Sequence, residues 1–208
     1  MAEQRRIVLA VTGAGGTRLT GGFLTKLVED DRVSHVDLIV SSNARKLIGF
    51  EQGVAEDADP VQALLGKQSD KITLYDPETD VAGRPSSGSY RFWGMVVLPC
   101  AVGAAARIAH GTANTLLERA ADICLKERRP LVLCIRESPL NLIQLRNMVQ
   151  LAEAGATIYP TSPTYYNVPK SLAEMDAGFV TRLLGFIGLD QPEAVEWDPE
   201  RARQQQDG

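Results

Sequence analysis

The sequence predicts an α/β fold, a mainly parallel sheet with helices on both faces. Three observations carry this. Short continuous apolar runs recur along the chain, amphipathic stretches separate them, and a glycine turn directly follows the first run. A continuous apolar run, unlike an alternating one, marks a strand buried on both faces.

The elements follow in order. Arg6 to Val11 reads as the first strand, and a helical pattern runs from about Leu19 to Val28 after the glycines. His35 to Val40 is a second strand. It ends in Ser41-Ser42-Asn43, all residue types that cap helices, so a helix is expected to start there. Lys71 to Tyr75 is a third, weaker strand, and residues 76–89, rich in Pro, Gly, Ser and Asp, read as a long loop. Gly94 to Leu98 is a fourth strand, expected to stop at Pro99. Ala101 to Ala109 and Thr115 to Lys126 are helical. Pro130 to Ile135 is a fifth strand, Asn141 to Ala154 a helix, Thr157 to Tyr159 a short sixth strand, and Ser171 to Phe186 a last helix.

Composition narrows the class. The 208 residues suffice for one compact domain, 1–208, with a core over about 5–190 and a C-terminal tail over about 191–208. Hydrophobic residues at 44% are ordinary for a globular protein, and a net charge of −4 argues against general nucleic-acid binding. No stretch approaches the roughly 20 apolar residues of a membrane span, and Ile7 to Val11 is too short for a signal core. Cys100, Cys124 and Cys134 lack metal-type spacing, and only His35 and His110 could join them, so no metal site is expected. An odd number of free thiols points to a reducing cytoplasm.

In a parallel sheet, ligands sit beyond the carboxyl ends of the strands. Thr12-Gly13-Ala14-Gly15-Gly16-Thr17 follows the first strand, where glycines admit close backbone approach and a helix start favours an anion. Arg18 breaks the dinucleotide fingerprint and no Gly-Lys-Ser/Thr follows, so the turn also reads as a packing turn alone. After the second strand a NAD site would carry an acid; Ser41-Ser42-Asn43 suits a phosphate instead, or a plain helix cap. The small residues after Pro99-Cys100 permit either a ligand or tight helix packing. Arg136-Glu137 follows the fifth strand directly, and Arg136 can grip a phosphate or form a structural ion pair.

Together these pieces resemble one family. Gly13-Ala14-Gly15-Gly16, Ser41-x-x-Ala44-Arg45, Glu51, Ser87-Gly88-Ser89, Gly94-Met95-Val96 and Pro99-Cys100 fall in its order. The most specific stretch is Arg119-Ala120-Ala121-Asp122, then Leu125 to Leu133 (LKERRPLVL), then Arg136-Glu137. Tyr166 in YYN and Arg182 in VTRLLG also match. The sequence is similar to the UbiX and Pad-type flavin prenyltransferases over roughly residues 5–190.

The resemblance implies a Rossmann-like (flavodoxin-like) subunit in a dodecamer, with reduced FMN and dimethylallyl monophosphate as substrates. The product would be prenylated FMN, joined at N5 and C6, for a UbiD-type decarboxylase. By position, FMN would contact Gly13, Ala14, Gly15, Ser41, Ala101, Val102, Gly103, Ala104, Arg119 and Arg136. Lys126, Arg136, Tyr166 and Arg182 would hold the donor phosphate, some from a neighbouring subunit, and Trp197 would wall the prenyl site. Glu51 and Glu137 would handle protons, with Lys126 and Arg136 in the catalytic set. Fixed cations and a phenol would neutralise the leaving phosphate without a metal.

The chain departs from the family at two places, with Gly15 and Ala101 where serine is usual. An alternative is therefore a paralogue that binds or delivers FMN or prenylated FMN without prenyl transfer. A peptidyl-cysteine decarboxylase is disfavoured because neither His35 nor His110 lies in a strand-end motif, and a flavodoxin-type carrier is disfavoured by the basic phosphate residues.

Overall fold

A computed structural model of the protein describes residues 4–192. Contacts divide the chain into two compact units, Met1–Thr161 and Ser162–Gly208. The first unit holds β1 (Arg5–Val11), α1 (Thr17–Glu29), β2 (Val33–Val40), α2 (Ser42–Gln52), α3 (Pro60–Leu65) and β3 (Ile72–Tyr75). It continues with β4 (Gly94–Cys100), α4 (Val102–Ala109), α5 (Leu116–Lys126), β5 (Leu131–Ile135), α6 (Leu142–Glu153) and β6 (Thr157–Ile158). Within the second unit, a 3-10 turn at Tyr165–Asn167 precedes α7 (Leu172–Phe186).

The six strands form one sheet in the order β3-β2-β1-β4-β5-β6, and every neighbouring pair is parallel. This is the doubly wound Rossmann-like order, whose direction of winding reverses between β1 and β4. The apolar runs explain the layering. Ile7 to Val11 are fully buried, as are Met95 to Leu98, so helices must cover both faces. Phe23, Leu24 and Leu27 of α1 and Leu116, Ala120, Ile123 and Cys124 of α5 are likewise buried. Asn141 and Thr115 start α6 and α5 with reciprocal capping boxes.

Three details differ from the sequence reading. Pro99 does not end β4; the strand runs on to Cys100. The β4–β5 register shifts between Val97 and Cys100, which lets the ladder pass a residue that has no N–H. The helix α3 was not foreseen, although Asp59-Pro60 is a cap followed by a first-turn proline, and Asp59 Oδ1 accepts from the Gln62 N–H at 2.8 Å. Residues 76–89 contain a 3-10 turn at Arg84–Ser86.

In the second unit, Ser171 Oγ caps α7 by accepting from the Glu174 N–H at 3.2 Å. A Cβ on Gly178 would come within 2.5 Å of Thr164 Oγ1, so the loop before α7 lies directly on the helix backbone.

Candidate active site

The carboxyl ends of four strands are fastened together. Thr12 Oγ1 donates to the Pro99 carbonyl at 2.8 Å and accepts from the Ala101 N–H at 2.7 Å, joining the ends of β1 and β4 across the switch point. The Ser41 N–H donates to the Val11 carbonyl at 3.1 Å, and the Arg136 N–H to the Cys100 carbonyl at 3.1 Å. Gly13, Ala14, Gly15, Ser41, Ala101 to Ala104 and Arg136 therefore share one sheet edge.

The helix starts at this edge differ in what satisfies them. Ser41 Oγ accepts from the Ala44 N–H at 3.2 Å and caps α2. Gly16, at φ 102°, caps α1 without a side chain, and the carboxylate of Glu51 takes the first-turn N–H groups instead. It accepts from Gly16 N at 2.9 Å and from Thr17 N and Thr17 Oγ1 at 2.7 Å each. The anion at the glycine turn is thus the protein's own. Ala101 offers no side-chain cap to α4, so no side chain of the cap takes the first-turn amides of Val102 and Gly103.

The turn fits a ligand that needs close backbone approach. A Cβ on Gly13 would meet Asn43 Cβ at 2.7 Å, so the turn lies hard against the start of α2. A Cβ on Gly15 would sit 3.0 Å from Glu51 Oε1 and 3.7 Å from Arg136 Nη2. Glycine here leaves a partly buried space between a carboxylate and a guanidinium. A phosphate-bearing planar ligand suits this edge, with amides at α2 and α4 for the phosphate and a backbone free of side chain at Gly15 for the ring to approach. Glu137 is exposed at the same edge, its Oε1 accepting from the Ser138 N–H at 3.1 Å.

Other expected residues lie elsewhere. Lys126 ends α5 and precedes β5, whereas Arg136 follows β5. A five-residue strand at about 3.3 Å per residue places them roughly 16 Å apart, at opposite edges of the sheet. Lys126 Nζ donates to Glu127 Oε1 at 2.6 Å, and a Cβ on Gly88 would be 3.2 Å from that ammonium. Arg119 donates from Nε to the Ser86 carbonyl at 3.3 Å and pairs with Asp122 at 2.7 Å, which brings it to the 87–89 loop rather than to the switch point. A cavity of about 1190 Å³ also lies at the amino edge, lined by Arg5, Arg6, Arg91, Arg129, Trp93 and Glu127 among others. Within the second unit, Arg182 Nη1 lies 3.5 Å from the Tyr166 hydroxyl, so that pair is together. Trp197 lies outside the described residues. Among the described residues no group of three or more His, Cys, Asp or Glu could hold a metal, and no helix is long and apolar enough to cross a membrane.

Comparison with known proteins decides the family. Residues 1–179 match the flavoprotein family. Over 198 residues the chain is 40% identical to flavin prenyltransferase UbiX of Deinococcus radiodurans, covering 95% of each protein. The chain belongs to the UbiX flavin prenyltransferases.

Solved UbiX structures share its architecture. AnUbiX (PadA1), in complex with FMN and dimethylallyl pyrophosphate, is 38% identical, with a TM-score of 0.82 over 94% of this chain and 98% of its own. A dodecameric FMN-dependent UbiX-like decarboxylase from Escherichia coli O157:H7 is 36% identical, with a TM-score of 0.82 over 93% and 99%. Thr12 and Thr17 flank the glycine turn in sequence, and the structure adds their hydrogen bonds to Pro99, Ala101 and Glu51 to this edge. Both threonines are buried, which the sequence does not show; only their places on either side of the glycines are legible there.

Proposed function

We propose that this chain is a flavin prenyltransferase that joins a dimethylallyl group to N5 and C6 of reduced FMN, producing prenylated FMN for a UbiD-type decarboxylase. The observation that carries the reading is the space above Gly15, bounded by Glu51 Oε1 and Arg136, at the switch point of a UbiX-family sheet. Reduced flavin supplies the nucleophilic ring atoms when bound. Ser41 and the α4 amides would hold its phosphate, and the glycines would let its ring lie on the backbone. Glu51 would take a proton from the ring side, with Glu137 as the second carboxylate at that edge.

The donor is dimethylallyl monophosphate. Its phosphate would be neutralised by Arg136, Lys126, Arg182 and Tyr166, which favours ionisation of an allylic phosphate. AnUbiX was solved with the pyrophosphate, so the two donors are worth direct comparison. Lys126 and Arg136 lie at opposite edges of one sheet, which supports a site completed by a neighbouring subunit within a dodecamer. With Lys126 would come Arg119 and the 87–89 loop. The free thiols support a cytoplasmic setting.

The test is anaerobic incubation with reduced FMN and dimethylallyl monophosphate, with the extracted flavin read by mass spectrometry. A flavin heavier by one five-carbon unit is expected. FMN that binds but returns unchanged would favour a second reading, a paralogue that binds or delivers the cofactor, which the absence of serine hydroxyls at Gly15 and Ala101 supports.

A further inference from the structure

The two carboxylate oxygens of Glu51 have different settings. Oε2 accepts from Thr17 N at 2.7 Å, from Thr17 Oγ1 at 2.7 Å and more weakly from Gly16 N at 3.2 Å. Oε1 accepts from Gly16 N at 2.9 Å. A carboxylate oxygen offers about two lone-pair sites, so Oε2 is filled while Oε1 keeps one site open. Oε1 is also the atom nearest to where a side chain at position 15 would begin, and the Arg136 guanidinium flanks the same space.

Thr17 is completely buried at the first position of α1. A hydroxyl serves a helix at the cap, not at the position after it, and the cap here is Gly16. Valine would fill the same volume. The partner of the Thr17 hydroxyl is Glu51, 34 residues away in sequence.

We infer that Thr17 is a positioning residue whose hydroxyl, with two backbone N–H groups, locks Glu51 Oε2 against α1 so that Oε1 meets the space above Gly15 with a free lone pair. The inference rests on the reading of Glu51 as the proton-handling group. It assigns the aim of that carboxylate to a side chain that is itself completely buried.

Two measurements on Thr17→Val and Thr17→Ser test it. The first is steady-state prenyl transfer. Loss of a hydrogen bond to a charged group is expected to lower kcat about tenfold in Thr17→Val. KM for FMN and for the donor should stay within about twofold, because the interaction serves the reacting state rather than binding. Thr17→Ser restores kcat. The second is the infrared carboxylate stretch of Glu51 in the flavin-free protein, assigned by difference against Glu51→Gln. It shifts in Thr17→Val and returns in Thr17→Ser. An unmoved carboxylate band, an unchanged kcat, or a defect that serine does not rescue overturns the inference. If the wild-type protein makes no prenylated flavin, the proposed function fails, and the infrared band alone judges Thr17.

Discussion

The hydroxyl of Thr12 spans the switch point of the sheet, donating to the Pro99 carbonyl at 2.8 Å and accepting from the Ala101 N–H at 2.7 Å. One buried side chain therefore fixes both the width of the crevice and the start of α4. Thr12→Val keeps the shape and strands the Ala101 N–H, a loss of about 1–3 kcal/mol in unfolding free energy. Denaturant titration should show that loss, and FMN affinity should fall with it. Thr12→Ser should behave like the wild type in both measurements. Equal stability of the valine and serine variants would mean that the bridge does not hold the edge.

Gly13 and Gly15 should respond to a side chain in opposite ways. A Cβ at position 13 meets Asn43 Cβ at 2.7 Å, and that atom cannot move without α2. Gly13→Ala should therefore cost more than tenfold in FMN affinity, read by flavin fluorescence. A Cβ at position 15 meets Glu51 Oε1 at 3.0 Å, a side-chain oxygen held by hydrogen bonds rather than by backbone packing, so Gly15→Ser needs only a shift of a few tenths of an ångström within those bonds. FMN should stay bound in Gly15→Ser, and prenyl transfer should match or exceed the wild-type rate. Weaker FMN binding in Gly15→Ser than in Gly13→Ala would reverse this assignment of space.

The strand-end half of the site was legible because its signals are local. Gly13, Ser41 and Arg136 each follow an apolar run directly, and a parallel sheet gathers such positions on one edge. The resemblance then added Lys126, Tyr166 and Arg182. The order of elements, with Lys126 before the fifth strand and Arg136 after it, already implies that Lys126 belongs to the other edge of its own sheet, but spacing could not show what it meets there, Glu127 and the 87–89 loop. Nor could it show that Glu51, at the far end of α2, folds back to cap α1. That contact depends on how the two helices sit over the sheet, and no periodicity encodes it. α3 escaped because six residues are too few for a helical period.

The placement of Lys126 and Arg136 at opposite edges predicts complementation between subunits. Lys126→Ala and Arg136→Ala should each abolish prenyl transfer in a homogeneous assembly. Unfolding the two together and reassembling them at equal ratio places an intact Lys126 edge beside an intact Arg136 edge at about a quarter of the interfaces. Activity near that fraction of wild type is expected. Activity no higher than that of the separate variants would require both residues to act within one chain. Arg182→Ala should likewise remove turnover while leaving FMN bound, as expected of a residue that holds the donor phosphate.

A buried network at the other end of the sheet sets the response of the fold to pH. Asp37 is fully buried in β2, accepts from the Tyr90 hydroxyl at 2.9 Å on Oδ2, and has His35 Nε2 3.8 Å from Oδ1. Burial raises the Asp37 carboxyl above the ordinary carboxylate range, outweighing the Tyr90 hydrogen bond and the His35 charge. Burial first, and then the Asp37 charge, pushes the phenols of Tyr75 and Tyr90 up to about 12. All three groups hold their protons more tightly when folded. The stability they contribute is therefore complete below their unfolded values and is lost as pH rises through the folded ones. For Asp37 that loss begins just above pH 4, and for the tyrosines it falls between about pH 10 and 12. Asp37→Asn keeps an acceptor for the Tyr90 hydroxyl and removes the charge. Denaturant midpoints of this variant should fall less than those of the wild type as pH rises from the carboxylate range to neutrality. Its tyrosines should ionise closer to pH 10, followed by ultraviolet difference absorbance. Identical pH profiles for the variant and the wild type would show that Asp37 keeps no proton beyond its ordinary range and does not hold the phenols up.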